Sequence, residues 1–138
     1  MNRSEFRALA LVRSGDARVL LDARRWDGTY YLAGYVIECA LKACIAKTFR
    51  KGNIPQKGDV DKIYVHNLKV LLKLADLERA LEAAMQADQQ LEVAWSNVSR
   101  WTETSRYERR RTAAEARDLF EAVTDPAHGM LQWIQRSW

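Results

Sequence analysis

Residues 30–43 read YYLAGYVIECALKA, a run in which apolar residues would cover almost every face of a helix. The two charged residues within it, Glu38 and Lys42, are four positions apart, so a helix places both on one face. A helix that is apolar nearly all round is typical of the centre of a helical protein. We therefore predict that a helix starting between residues 27 and 30 and ending near Phe49 is the central element of the fold.

The composition of the chain favours helix over strand or disorder. Its 138 residues are 48% hydrophobic and 29% charged, with only 6 glycines and 2 prolines. We predict one all-α domain spanning residues 1–138, an up-and-down bundle of four to six helices. Residues 50–65 contain two of the glycines and one proline, which predicts a surface loop. The net charge of +4 permits phosphate binding but does not require it.

Capping signals indicate where the other helices begin. Ser4 is a candidate cap for the first helix, and Asn67 for a helix that carries Leu68 and its neighbours. Asp88 falls on the apolar stripe of residues 68–101, so we expect a bend or a restart near it. Thr112 and Glu115 have the spacing of a capping box, in which side chain and backbone satisfy each other's hydrogen bonds.

Several classes of site and location are disfavoured by the sequence. Cys39 and Cys44 are five positions apart on one predicted helix, point to different faces and read as reduced core residues. His66 and His128 belong to no metal-ligand motif, and no glycine-rich phosphate loop is present, so we expect no metal and no cofactor. The charged N-terminal residues resemble no secretory signal, and no run suits a membrane span. We expect a cytoplasmic protein.

Two candidate site residues lie on or beside the central helix. Glu38 shares a helix face with Tyr31, Tyr35 and Lys42. It is either part of a surface stripe with a weak ion pair or a partly buried carboxylate that accepts hydrogen bonds. His66 precedes a helix whose positive end disfavours imidazolium, so it is either a neutral base or ligand, or a simple helix-start contact.

A basic cluster with an aromatic residue lies near the C-terminal third. Residues 105–111 read SRYERRR, in which Arg106, Tyr107 and Arg110 are candidates for phosphate or nucleic-acid contact. A solvated loop between helices explains the same residues. The five tryptophans are numerous for this length and are expected to anchor the core or a dimer interface.

These segments, in this order, resemble the HEPN domain family of prokaryotes. The resemblance rests on YLAGYVIECALKA, VHNLKVLL, WSNVSRWTETSRY and the tail LQWIQRSW. It implies a dimeric helical bundle that is often encoded beside a minimal nucleotidyltransferase, and many members are metal-independent ribonucleases of toxin–antitoxin or defence systems. It also implies that Glu38 turns toward the bundle and organises Arg106, Tyr107 or a tyrosine of its own helix.

The chain departs from the ribonuclease members of that family. Those members carry an arginine followed after four to six residues by a histidine. The positions where that arginine would stand are occupied by Asp59, Val60 and Asp61 before His66 and by Glu121, Ala122 and Val123 before His128.

The sequence therefore favours a module that binds nucleotide, RNA or a partner protein over an enzyme. We expect it to be a homodimer and one half of a toxin–antitoxin or nucleotidyltransferase-associated pair. The alternative is a metal-independent ribonuclease toxin that uses His66 with a basic residue. The candidate binding residues in either case are Glu38, His66, Arg106, Tyr107 and Arg110.

Overall fold

The fold is organised around one long central helix. The computed structural model describes residues 1–49, 61 and 64–138. Its helices are α1 (Arg3–Asp22), α2 (Trp26–Thr48), α3 (Leu68–Leu74), α4 (Glu78–Ala87), α5 (Gln89–Val98), a 3-10 helix (Glu103–Tyr107), α6 (Ala113–Thr124) and α7 (Met130–Gln135). The all-α prediction is confirmed for this part of the chain.

The described ranges hold seven α-helices, more than the predicted four to six, because residues 68–98 form three short helices. Asp76 adopts a left-handed backbone with φ of 56° after α3. Asp88 then restarts the chain as the cap of α5, since its side chain accepts from the amides of Gln90 and Leu91. The restart expected near Asp88 is confirmed. Most of the loop predicted for residues 50–65 lies outside the described residues.

The other capping predictions are confirmed with one exception. Asn67 accepts from the amides of the first turn of α3, and Thr112 forms the expected capping box with Glu115 at the start of α6. The cap of α1 is Asn2 rather than Ser4, and Glu5 completes its capping box. The prediction was wrong because both residues precede the same apolar repeat, and only the backbone turn decides between them.

The core forms on several faces of α2. This helix packs against α1, α3, α6, α7 and the 3-10 helix, and residues from Val36 to Ile45 are buried without interruption. Both cysteines of α2 are free and buried as expected, and burial raises the pKa of each thiol to about 11. The up-and-down order and the HEPN-like topology stay predictions.

Gly34 of α2 lies directly under the indole of Trp101, which is buried to 2% exposure. A Cβ added at Gly34 would lie 2.2 Å from three ring atoms of Trp101. A glycine inside an apolar helix indicates close approach of a neighbour, and here that neighbour is a side chain. Tyr31, one turn earlier, stacks on the same indole with ring centroids 6.2 Å apart.

All five tryptophans are at least half-buried within the chain itself. Trp101 is fully buried, and Trp95, Trp133 and Trp138 pack against the core. Trp26 is covered by the guanidinium of Arg117, which lies 5.1 Å from its ring centroid. The number of tryptophans is therefore accounted for by packing within one chain. None of the described helices has the length and apolar character that a membrane span requires.

Candidate functional site

The centre of the candidate site is Glu38, a carboxylate that is only 2% exposed. Its Oε1 atom accepts a hydrogen bond from Nζ of Lys42 at 2.8 Å and lies 2.9 Å from Nδ1 of His66. Of the two readings that the sequence left open, the buried carboxylate is the one observed. Within the described residues its partners are Lys42 and His66, so the expectation that it organises Arg106, Tyr107 or a tyrosine is wrong.

The pair formed by Glu38 and Lys42 is removed from solvent. The side chain of Lys42 is only 10% exposed, so an ammonium and a carboxylate compensate each other inside the protein. Both polar contacts converge on Oε1, and the second oxygen, Oε2, is buried without a hydrogen-bond partner among the described residues.

His66 lies between this buried pair and solvent. Its side chain is 46% exposed, while its Nδ1 faces the Glu38 carboxylate. Because a carboxylate only accepts hydrogen bonds, we assign the imidazole proton to Nδ1. Nε2, on the opposite edge of the ring, then carries a lone pair that is able to accept a proton or a hydrogen bond from a ligand. The histidine is thus more than a helix-start contact.

An aromatic stack continues from this cluster along α2. The rings of Tyr31 and Tyr35 lie 6.1 Å apart with an interplanar angle of 18°, and Tyr31 also stacks on Trp101. Burial raises the pKa of Tyr35 to about 12, with the neighbouring Cys39 and Glu38 adding to the rise. The phenol of Tyr35 is therefore neutral near pH 7 and offers a hydroxyl group rather than charge.

Arg106 and Tyr107 lie at the other end of this stack. They belong to the 3-10 helix, and the guanidinium carbon of Arg106 is 4.8 Å from the centre of the Tyr107 ring. Tyr107 is 71% exposed. The hydroxyl of Tyr107, and to a lesser degree that of Tyr31, raises the pKa of Arg106. The basic cluster predicted from sequence therefore adjoins the aromatic stack.

The two ends of the site are separated along the helix. Tyr31, beside Arg106, precedes Glu38, beside His66, by seven residues, which is roughly 10 Å of helix rise. The predicted residues therefore form one surface with a basic end and an imidazole end. Lys42 does not offer a free cation beside His66, because its ammonium is buried against Glu38.

The remaining arginines of the cluster have different environments. Arg109 and Arg110 are exposed and line an open cavity of about 610 Å³ together with Tyr107. Arg111 is a structural residue, since its guanidinium lies 3.8 Å from the Tyr30 ring centroid and 2.9 Å from Glu115. The guanidinium of Arg111 is therefore engaged within the protein, whereas Arg110 stays a candidate for phosphate contact.

Sequence reasoning missed a second carboxylate–imidazole pair. Nδ1 of His128 lies 2.7 Å from Oδ2 of Asp88, and this hydrogen bond lowers the pKa of Asp88. The two residues are 40 positions apart, so no local pattern joins them; the cap position of Asp88 was the one available signal. Among the described residues no group of histidine, cysteine or acidic side chains is arranged to hold a metal ion.

Comparison with protein-family models, with curated proteins and with solved structures gives no match to this chain. The class of this protein is therefore described from its fold and its candidate site alone. The chain is an all-α protein whose central helix carries a buried Glu38–Lys42 pair, an imidazole and a stack of tyrosines.

Proposed function

We propose that this protein is a HEPN-like module that binds RNA or nucleotide and forms one half of a two-component system. The observation that carries the proposal is the placement of exposed Arg106 and Tyr107 beside the stack of Tyr31 and Tyr35. A cation next to aromatic ring faces is the combination by which proteins hold single-stranded nucleic acid, since phosphate pairs with the cation and bases stack on the rings. The resemblance to HEPN domains adds two elements to the proposal. Two copies of the chain form a dimer, and the second component of the system is a nucleotidyltransferase.

The mildly basic charge of the chain is consistent with this proposal. Arg109 and Arg110 extend the basic surface from Arg106 along the open cavity beside Tyr107. Nε2 of His66, at the far end of the stack, is available as an acceptor for a base or a 2′-hydroxyl. A ligand that contacts both ends has to span roughly 10 Å, which suits more than one nucleotide.

The proposal predicts that Arg106→Glu weakens the binding of single-stranded RNA. Reversal of one charge next to a stacking site removes a phosphate contact, and loss of one base stack is worth about 1–3 kcal/mol. We expect Kd to rise by roughly ten-fold or more, measured by fluorescence anisotropy with a short labelled RNA at low salt. The wild-type Kd should also rise steeply with salt concentration.

The matched control is Arg79→Glu, an exposed arginine of α4 that changes the net charge by the same amount. It should change Kd by less than about two-fold if the site is local, because distant exposed charges are screened. Equal weakening by both variants would show that RNA binding depends only on the net charge of the protein and that Arg106 is not part of a local binding site. Tyr107→Ala, which keeps the charge, tests the stacking contribution separately.

A second function, metal-independent RNA cleavage, is favoured by one observation. The carboxylate of Glu38 holds the proton of His66 on Nδ1, which leaves Nε2 as a base of the kind used to activate a 2′-hydroxyl. Cleavage also needs a cation close to the reacting phosphate. Neither Lys42, whose ammonium is buried against Glu38, nor Arg106, which lies at the opposite end of the stack, is suited to act as that cation.

We therefore expect no cleavage of mixed RNA by the purified protein in EDTA, measured as intact bands on a denaturing gel after prolonged incubation. His66→Ala is the paired variant. Turnover by the wild type that is lost in His66→Ala would establish His66 as catalytic and replace the binding proposal by the ribonuclease. Turnover that persists in His66→Ala would indicate a contaminating nuclease.

A further inference from the structure

A groove between α5 and α6 lies apart from the tyrosine stack. One part of the groove, called the lower part below, is a cavity of about 570 Å³ whose lining includes Val93, Asn97, Asp118 and Glu121. It continues into a second cavity of about 730 Å³ that shares Val93, Asn97 and Asp118 with the first. Volumes of this size suit a ligand site, and the ten residues of α5 give the groove a length of roughly 15 Å.

The lower part of the groove has the opposite charge to the protein as a whole. Asp118, Glu121 and Asp125 project from one face of α6 and the residue that follows it, at spacings of three and four. Among the described residues no lysine or arginine lines this lower cavity, whereas Arg100 and Arg111 line the second one, and neither Asp118 nor Glu121 forms an ion pair with a described residue. Asp118 and Glu121 repel each other at a spacing of three residues on α6, so helix stability does not explain this pair.

One end of the groove is held rigidly. The backbone amides of Ala127 and His128 donate to Oδ1 of Asp125 at 2.8 Å, while the imidazole of His128 is bound to Asp88. Oδ1 of Asp88 is in turn the cap of α5. The contacts tie the start of α5 to the loop after α6, so the groove keeps its width without a ligand.

The floor between these acidic groups is apolar. Val93 is 65% exposed, and Ala94 and Ala122 lie beside it. A small polyamine would use the carboxylates but would leave this floor uncovered, whereas a polypeptide presents charged and apolar side chains together. The amide of Asn97 adds a donor and an acceptor for a peptide backbone.

We propose that the α5–α6 groove binds a basic segment of a partner protein, with arginine or lysine side chains against Asp118 and Glu121 and an apolar side chain against Val93. The complementarity of charge selects a cationic partner, and the exposed apolar floor selects a peptide over a free cation. The groove is a second binding surface, independent of the proposed RNA site at Arg106.

The test uses the full chain and a labelled synthetic peptide that alternates arginine and leucine, followed by fluorescence anisotropy. Asp118→Asn combined with Glu121→Gln removes two charges, and we expect Kd to rise by roughly five- to thirty-fold, as for loss of two exposed ion pairs of up to about 1 kcal/mol each. Val93→Ala keeps the charge and should raise Kd by about three-fold through lost apolar contact. RNA binding should be unchanged in all three substitutions.

The matched control is Glu78→Gln combined with Glu82→Gln, two exposed carboxylates of α4 outside the groove. It changes the net charge equally and should alter Kd by less than about two-fold. The proposal is overturned if this control weakens binding as much as the groove variant does. It is also overturned if a peptide with glutamate in place of arginine binds equally well, if spermine at equal charge competes as strongly as unlabelled peptide, or if the wild type binds no basic peptide.

Discussion

Glu38→Ala is expected to lower the free energy of unfolding by about 3–5 kcal/mol, because it strands the buried ammonium of Lys42 without its counter-charge. At this chain length such a loss corresponds to a fall in Tm of roughly 10–15 °C. Urea denaturation followed by circular dichroism measures the free energy directly.

The chain offers a matched control on α1. Arg18 and Asp22 have the same four-residue spacing, with charged atoms 3.5 Å apart, but their side chains are 63% and 67% exposed. Arg18→Ala should therefore cost less than about 1 kcal/mol. Replacing both buried partners, Glu38→Leu with Lys42→Met, should recover most of the loss, since an apolar pair needs no counter-charge. Equal small losses for Glu38→Ala and Arg18→Ala would contradict the burial of the pair.

Gly34→Ala is the second variant with a large expected effect, a loss of about 3 kcal/mol or more in unfolding free energy. The new methyl group would lie 2.2 Å from the Trp101 ring, and a fully buried indole has no free space into which to move. Thermal and urea unfolding of the variant measure the loss. Since Trp101 also stacks on Tyr31, RNA binding should weaken along with stability.

Gly15→Ala is the contrasting substitution, because Gly15 lies inside α1 and, beyond its own helix backbone, no atom of the described residues lies within 4 Å of an added Cβ. Alanine should stabilise the helix there by about 0.5–1 kcal/mol, so the two glycine variants are expected to have opposite signs. Trp101→Leu provides a test of cause, because Gly34→Ala should cost much less in that background. An undiminished cost there would rule out the indole as the source.

Local signals account for the parts of the structure that the sequence predicted correctly. The predicted caps at Asn67 and Thr112 each depend on a side chain and on amides two or three residues away, so a short stretch of sequence carries all the necessary information. The apolar run at residues 30–43 likewise predicts a central helix, because burial on several faces follows from composition alone. Where two caps were possible, at Asn2 and Ser4, the prediction chose wrongly.

The candidate site, like the fold, was predictable from the sequence only in part. The basic and aromatic character of Arg106 and Tyr107 is visible in the sequence, and their exposure agrees with the prediction. The role of Arg111 is not visible, because its contact with Tyr30 joins the 3-10 region to a residue far away in the chain. An arginine in a basic run is predicted to be exposed, because the local sequence does not show a contact with a ring that is distant in the chain.

The sequence by itself determined that this protein is helical, where α3, α5 and α6 begin, and which helix is central, because those properties depend on interactions over one or two turns. Only the tertiary structure decided that Glu38 is buried and that His66 reaches it across 28 positions. The same holds for the indole of Trp101 over Gly34 and for the pair of His128 with Asp88. These contacts depend on the angles and distances at which helices pack, and those are set by the simultaneous fit of many side chains rather than by any local pattern.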